Sequence, residues 1–265
     1  MNLDFSTRKD NSFDAIIQAR MGSTRLAGKT FADLGGKPLI EHVVDRIRFS
    51  NPKKIILAIP DNRSDDRLAE WAEGKGLEYI RGPEDDVLAR FIIASGKCER
   101  EILIRATGDN PFCEPEIITR TVRALNDESA DYAVIEGSPL GTTVEAFTKS
   151  TLRKLGKIAK SDEEREHVTL AIWNNPGEFK IKIIDAPDYF RCDGLRLTID
   201  TEKDLEFARH IYRALAGDLR MILLRDIIKY VRTNPLVMRM NGGVKQNLSD
   251  FLSTRKTKIL EHQPL

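Results

Sequence analysis

Three cations stand close together at the end of an apolar run. They are Arg20, Arg25 and Lys29, interleaved with Gly22, Ser23, Thr24 and Gly28. The preceding residues, 14–18, read Asp-Ala-Ile-Ile-Gln, a buried strand, so 19–29 is a loop directly at a strand end. Glycines let backbone N–H groups approach oxyanions closely. Arginine then adds a forked donor and lysine a compact charge. Together they suit a polyphosphate. The register is not that of a P-loop, because five residues, Ser23 to Ala27, separate Gly22 from Gly28. A Rossmann Gly-x-Gly-x-x-Gly pattern is also absent there. Two carboxylates complete the set. In Arg105-Ala-Thr-Gly-Asp-Asn-Pro-Phe112, Gly108 and Pro111 set a turn that holds Asp109 outward. Asp200 ends the apolar run 195–199. Thr201 then caps a helix with Asp204 at its third position, near a capping box though without the usual Glu or Gln. Each Asp also has a plain reading, Asp109 as a turn former and Asp200 as a residue preceding a cap.

The elements that must carry these residues alternate. Strands are expected at 14–18, 54–59, 77–80, 101–106, 131–135, 179–184 and 195–199. Helices are expected at 38–49, at 64–74 with Ser64 as cap, and at 86–95, 114–125, 150–158, 162–173, 201 onward and 221–231. Residues 137–147 read as irregular. This β-α order gives an α/β fold with a mostly parallel sheet and helices on both faces. The strands are continuous apolar runs because both of their faces are buried. Ligands in such sheets sit outside the carboxyl ends of the strands. The loops after Gln18, Ala106, Ile135 and Ile199 are therefore the ones to inspect.

The whole chain sets bounds on this chemistry. Its 265 residues carry 42 Lys+Arg against 41 Asp+Glu, a net charge of +1. No bulk basic field exists for nucleic acid or an anionic membrane. No apolar run approaches the ~20 residues of a membrane span, and the first residues lack the core of a signal peptide, so a cytoplasmic protein is expected. Cys98, Cys113 and Cys192 are too scattered for a metal site or a disulfide framework. Three parts are expected: an extension, 1–13; a domain, 14–232; and a polar tail, 233–265, containing Lys245, Arg255, Lys256 and Lys258.

Ile17-Gln-Ala-Arg-Met-Gly-Ser-Thr-Arg-Leu-Ala-Gly-Lys29 resembles the signature loop of the cytidylyltransferases that make CMP-activated sugar acids. This is the family of the CMP-Kdo and CMP-sialic acid synthetases. The greatest similarity is to its spore-coat-polysaccharide-F-like branch. The usual loop ends Leu-Pro-Gly-Lys; Ala27 replaces the proline and no charge is lost. The resemblance covers about 15–231. It implies a Rossmann-like, GT-A-like nucleotidyltransferase sheet, with an insert near 137–190 for dimerisation or acceptor binding. It implies catalytic roles for Arg20, Lys29 and Asp109, and nucleotide contacts from Ala19, Arg20, Gly22, Ser23, Thr24, Arg25 and Lys29. Arg81-Gly-Pro-Glu-Asp-Asp-Val-Leu88 is similar to the segment bordering the nucleoside, which adds Asp85, although Asp85 and Asp86 equally suit a helix N-terminus. Asp109 and Asp200 are implied as ligands of Mg²⁺, an ion that prefers a few carboxylates plus water and phosphates. Val144-Glu-Ala-Phe147 and Glu166-His-Val-Thr169 resemble acceptor-side motifs and add Glu145 and His167. Arg105 either favours an acidic acceptor or forms a structural ion pair. A homodimer is also implied.

The resulting expectation is a Mg²⁺-dependent transfer of CMP from CTP to a sugar-acid or phosphorylated acceptor, with release of pyrophosphate, in surface polysaccharide or glycoconjugate synthesis. The Kdo-enzyme segment Asn-Val-Gln-Gly-Asp reads Arg105-Ala-Thr-Gly-Asp109 here, which argues against Kdo itself as the acceptor. Two alternatives stay open. One is a sugar-1-phosphate nucleotidyltransferase using UTP or GTP. The other is a nucleotide-binding protein without turnover.

Overall fold

A computed structural model describes residues 10–217 and 221–244. Expectations for 1–9 and for Lys245 onward lie outside the described residues. The first half runs β1 (Phe13–Gln18), a small hairpin of β2 (Asp33–Leu34) and β3 (Lys37–Pro38), α1 (Leu39–Phe49), β4 (Ile55–Pro60), α2 (Asp66–Gly74), β5 (Glu78–Gly82), α3 (Val87–Ser95), β6 (Ile102–Thr107), α4 (Pro115–Asp127) and β7 (Tyr132–Glu136). The second half runs β8 (Glu145–Thr148), α5 (Lys149–Ile158), α6 (Asp162–Glu166), α7 (Leu170–Asn174), β9 (Ile181–Asp185), α8 (Glu202–Leu215) and α9 (Leu224–Thr233).

Seven strands form one sheet in the order β5-β4-β1-β6-β8-β7-β9. Every pairing is parallel except those of β8, which is antiparallel to both β6 and β7. The double burial expected from the apolar runs is present. Ala15, Ile17, Leu57, Ile59 and Ile104 face a core closed by α1, α2, α4, α8 and α9. Ile16, Ile56, Ala58, Leu103 and Phe147 face a second core under α3, α5 and α7. The stripe Leu39, Ile40, Val43, Val44 and Ile47 makes α1 amphipathic and seats it on the first core. No helix among the described residues is long and apolar enough to cross a membrane.

Four local expectations are corrected. Asn62, not Ser64, accepts the Asp65 amide and starts a 3-10 turn ahead of α2. The expected helix at 162–173 is two short helices, because Val168 takes φ 43° between them. The run 195–199 is extended but is not a sheet strand. Its amides are satisfied by loops, Leu197 N–H by Leu140 O and Ile199 N–H by Asp109 O. The irregular stretch at 137–147 ends in β8, which fills the gap between β6 and β7. The first part of the tail also joins the domain. Pro235–Met240 forms a 3-10 helix, and Val237, Met238 and Met240 pack against the first core.

Candidate active site

Neighbouring parallel strands β1 and β6 deliver their following loops to the same sheet edge. The loops then touch through backbone. Gly108 N–H donates to Gln18 O at 2.8 Å. A Cβ on Gly108 would lie 2.8 Å from the Ala19 Cβ, so only glycine permits this approach. From the other side Ile199 N–H donates to Asp109 O at 2.9 Å, which draws Asp200 alongside Asp109. Lys29 stands between them. Its Nζ lies 3.0 Å from Asp109 Oδ2, 3.0 Å from Asp200 Oδ1 and 2.7 Å from Ile199 O. The ammonium is thus held by three oxygens from two loops. The structure brings together four of the residues singled out in the sequence: Arg25, Lys29, Asp109 and Asp200.

The surroundings set the charge of the cluster. Burial alone would raise the Asp109 carboxyl. The Lys29 ammonium beside it and the hydrogen bond from Thr107 outweigh that and hold it below the usual Asp value. Thr107 Oγ1 donates to Asp109 Oδ1 at 2.7 Å, and Asn110 Nδ2 donates to Thr107 Oγ1 at 2.8 Å. Arg25, largely exposed, reaches Asp200 Oδ1 at 3.0 Å, and buried Arg196 reaches Asp200 Oδ2 at 2.7 Å.

The loop itself is pinned at its base and open at its crest. Met21 N–H donates to Asp65 Oδ1 at 2.7 Å, and Thr30 Oγ1 donates to Arg20 O at 2.7 Å. Ser23 Oγ accepts the Leu26 amide, which folds the loop back on itself. Gly28 takes φ 69°, the left-handed region, at the turn into Lys29. The amides of Gly22, Thr24 and Arg25 donate to no described residue. Ala19 is buried and Thr24 exposed. Exposed Arg20 lies near buried Arg90 and forms no ion pair with either carboxylate among the described residues.

The acceptor-side residues form a separate network on the second-core face of the sheet. Arg105 Nε donates to Gln18 Oε1 at 2.9 Å, and its Nη1 pairs with Glu145 Oε2 at 2.5 Å. Glu145 Oε1 accepts from Thr169 at 2.7 Å and from Tyr132. Burial would raise Glu145, but Arg105 and the two hydroxyls hold it below its ordinary value. Of the two readings open for Arg105, the ion pair is the one formed. His167 is exposed at the end of α6 and does not join this network. Asp85 is exposed and has no ion-pair partner among the described residues, whereas Asp86 caps α3 and pairs with Arg165. Burial pushes the Cys98 and Cys113 thiols up to about 12, so neither is a poised nucleophile.

Several partners were not singled out in the sequence: Gln18, Asp65, Thr107, Tyr132, Thr169, Arg196 and Asn241. Arg196 carried a signal, an arginine inside the apolar run 195–199 with Asp four and eight residues later. Asn241 carried none. For a cation, the donor set is hard: two carboxylates and the Ile199 carbonyl already hold an ammonium in common. No cluster of three or more His, Cys, Asp or Glu is present among the described residues. Two carboxylates and a carbonyl suit an ion such as Mg²⁺, which takes one or two carboxylates and completes its shell with water and phosphate. Asp109 and Asp200 therefore fit such a metal.

A mostly parallel sheet whose strand ends gather a cationic glycine loop and two carboxylates is a nucleotidyltransferase-like fold. The sequence model of the cytidylyltransferase family matches residues 15–227. The spore coat polysaccharide biosynthesis protein SpsF of Bacillus subtilis is 36% identical over 226 residues, covering 83% of this chain and 94% of that one. The 3-deoxy-manno-octulosonate cytidylyltransferase of Aeromonas salmonicida is 33% identical over 54% of this chain and 56% of its own. Among solved structures, a cytidylyltransferase from Leptospira borgpetersenii superposes with TM-score 0.79 at 27% identity, covering 89% of this chain and 99% of that one. The chain belongs to the cytidylyltransferase family and is by class a nucleotidyltransferase.

Proposed function

We propose that the protein transfers CMP from CTP to a sugar-acid or phosphorylated acceptor, with Mg²⁺ held by Asp109 and Asp200. The balanced reaction joins the acceptor oxygen to the α-phosphorus and releases pyrophosphate and the acceptor's proton. The observation that carries this reading is the Lys29 ammonium seated between two carboxylates at the foot of an open glycine loop. When bound, the metal supplies charge that activates the acceptor oxygen and stabilises the transferring phosphoryl group.

The chain's own residues do the rest. The free amides of Gly22, Thr24 and Arg25 and the cations Arg20, Arg25 and Lys29 bind the triphosphate and favour pyrophosphate as leaving group. Lys29 exchanges its carboxylate partners for phosphate. Asp109 and Asp200 fix the metal. No protein nucleophile is needed, so rate comes from positioning and electrostatics. On the acceptor side, Gln18, Arg105 and Glu145 present a charge-balanced polar wall, with His167 at its margin. Cytoplasmic location, expected from the sequence, and a homodimer, implied by the resemblance, belong to the same proposal. The relatives named for 3-deoxy-manno-octulosonate and for spore coat polysaccharide support acceptors of surface glycans.

The test is pyrophosphate release with CTP, UTP, GTP and ATP in turn, with Mg²⁺ and a panel of sugar acids, sugar phosphates and phosphorylated hydroxy acids. CTP-selective release with one acceptor is expected. Release with UTP or GTP alone would move the protein to sugar-1-phosphate chemistry. CTP binding without release across the panel would point to a non-catalytic role.

A further inference from the structure

Asp200 is placed by more than its own helix cap. The cap itself is complete: Thr201 Oγ1 accepts the Asp204 amide, and Asp204 Oδ2 accepts the Thr201 amide at 3.0 Å. Asp204 also accepts the Asp200 amide at 3.1 Å. Four further contacts serve no capping purpose. Arg196 Nε donates to Asp204 Oδ1 at 2.9 Å, and Arg196 Nη2 donates to Asp200 Oδ2 at 2.7 Å. Asn241 Nδ2 donates to Asp204 Oδ1 at 3.0 Å and to Arg196 O at 3.2 Å. All three supporting side chains are buried: Arg196 is 5% exposed, Asp204 1% and Asn241 3%.

One guanidinium thus spans two carboxylates, and its hold on Asp200 decides which oxygen faces the site. Oδ2 is taken by Arg196. Oδ1 is left to Lys29 and Arg25, on the side of the glycine loop. A planar fork reaches the two carboxylates through separate nitrogens at a fixed spacing, which the single nitrogen of a lysine does not reproduce. Asn241 closes the array from behind by holding both Asp204 and the backbone of Arg196. It lies in the segment after Asn234, beyond the residues matched by the family model.

We propose that Arg196, Asp204 and Asn241 are positioning residues that present Asp200 Oδ1 to the metal, so that residues 234–244 support the active site from behind. The inference rests on the reading of Asp200 as a metal ligand. Groups that orient metal ligands typically cost about 10–100-fold in metal affinity when removed.

The experiment is Mn²⁺ binding followed by electron paramagnetic resonance, on the full chain with CTP present. CTP binding without metal and thermal unfolding are measured alongside. Asn241→Ala removes one neutral donor at the edge of the array. Its Mn²⁺ affinity is expected to fall about tenfold, with CTP binding in the absence of metal unchanged. Arg196→Lys, which keeps a charge and loses the fork, is expected to fall further. If Asn241→Ala binds Mn²⁺ within twofold of the native chain while folded, Asn241 only anchors the tail and the proposal is overturned. Asp200→Asn separates the two levels of argument. If it binds Mn²⁺ as the native chain does, the ligand reading itself is wrong and the inference falls with it.

Discussion

Replacing Lys29 by methionine tests the centre of the site with one perturbation. The methionine keeps much of the side-chain bulk and deletes the ammonium. Lys29 sits 3.0 Å from each of two carboxylates and is 13% exposed, beside Asp109 at 29% and Asp200 at 15%. At an effective dielectric of about 20, each such contact is worth about 5 kcal/mol of attraction before desolvation. Desolvation of the three groups offsets most of that in the native chain. Deleting only the cation keeps the carboxylates' share of the penalty and loses the attraction, which costs about 3–5 kcal/mol. For a domain of this size that lowers Tm by about 6–20 °C.

The pH dependence gives the argument its sign. In the native chain the Asp109 carboxyl is held below its ordinary value of 3.8. Its contribution to stability is complete above that value and is lost as pH falls through the folded one. In Lys29→Met the Asp109 carboxyl keeps its desolvation and loses the ammonium that offset it, so it takes up a proton more readily than in the native chain and less stability is lost in acid. The gap in Tm between the two proteins should therefore be widest near pH 7 and should narrow toward about pH 4. Thermal unfolding followed by circular dichroism over that range reads both effects. Added Mn²⁺ without nucleotide should raise Tm in Lys29→Met more than in the native chain, because the vacated seat is acidic. Equal Tm values at pH 7, or a gap that widens in acid, would refute the reading of Lys29 as the internal counter-ion of the two carboxylates.

Asp109→Asn keeps the shape of its loop and is expected to lose at least about a hundredfold in pyrophosphate release, read by steady-state assay with CTP. Glu145→Gln leaves half-buried Arg105 without its counter-charge, and urea unfolding should show a loss of up to about 3 kcal/mol at pH 7. Because Glu145 is held below its ordinary value, that loss should shrink as acid protonates the native carboxyl. Gly141→Ala should destabilise the chain by about 1–3 kcal/mol or more. Gly141 has φ +91°, and its Cβ would lie 2.3 Å from the Thr198 amide nitrogen. Calorimetry should show the lower Tm, and activity should fall with it because Thr198 leads directly to Asp200.

The parallel half of the fold was legible because β1, β4 and β6 are buried on both faces and so appear as unbroken apolar runs. Part of the candidate site was legible from its place at strand ends, as with Lys29 in a glycine loop and Asp109 in a turn, although a turn alone would also use Asp109. Residues 195–199 look like those strands for the same reason, since burial writes the apolar pattern and pairing does not. Their amides bond to Leu140 and Asp109, and that choice depends on distant loops. β8 is four residues long and follows a glycine-rich stretch, so no period could develop. Asn241 is a polar residue in a polar segment. Only the fold shows that it is buried against Asp204.

The charges of the cluster bear on how a nucleotide and a metal would enter it. Asp109, Asp200 and Asp204 face Lys29, Arg25 and Arg196, so the array is neutral as it stands. A divalent cation arriving alone would meet an ammonium already seated between the two ligands. A triphosphate arriving alone would meet the same ammonium tied to carboxylates. Each obstacle is removed by the other ligand, because the phosphates can take Lys29 while the carboxylates take the metal. The exchange conserves the number of opposite-charge contacts and so has little electrostatic cost, whereas either half of it leaves like charges together in a partly buried place. On the proposed reading, nucleotide and metal therefore bind with positive coupling. The coupling resides in Lys29, and Arg196 holds Asp200 in place while Lys29 changes partners.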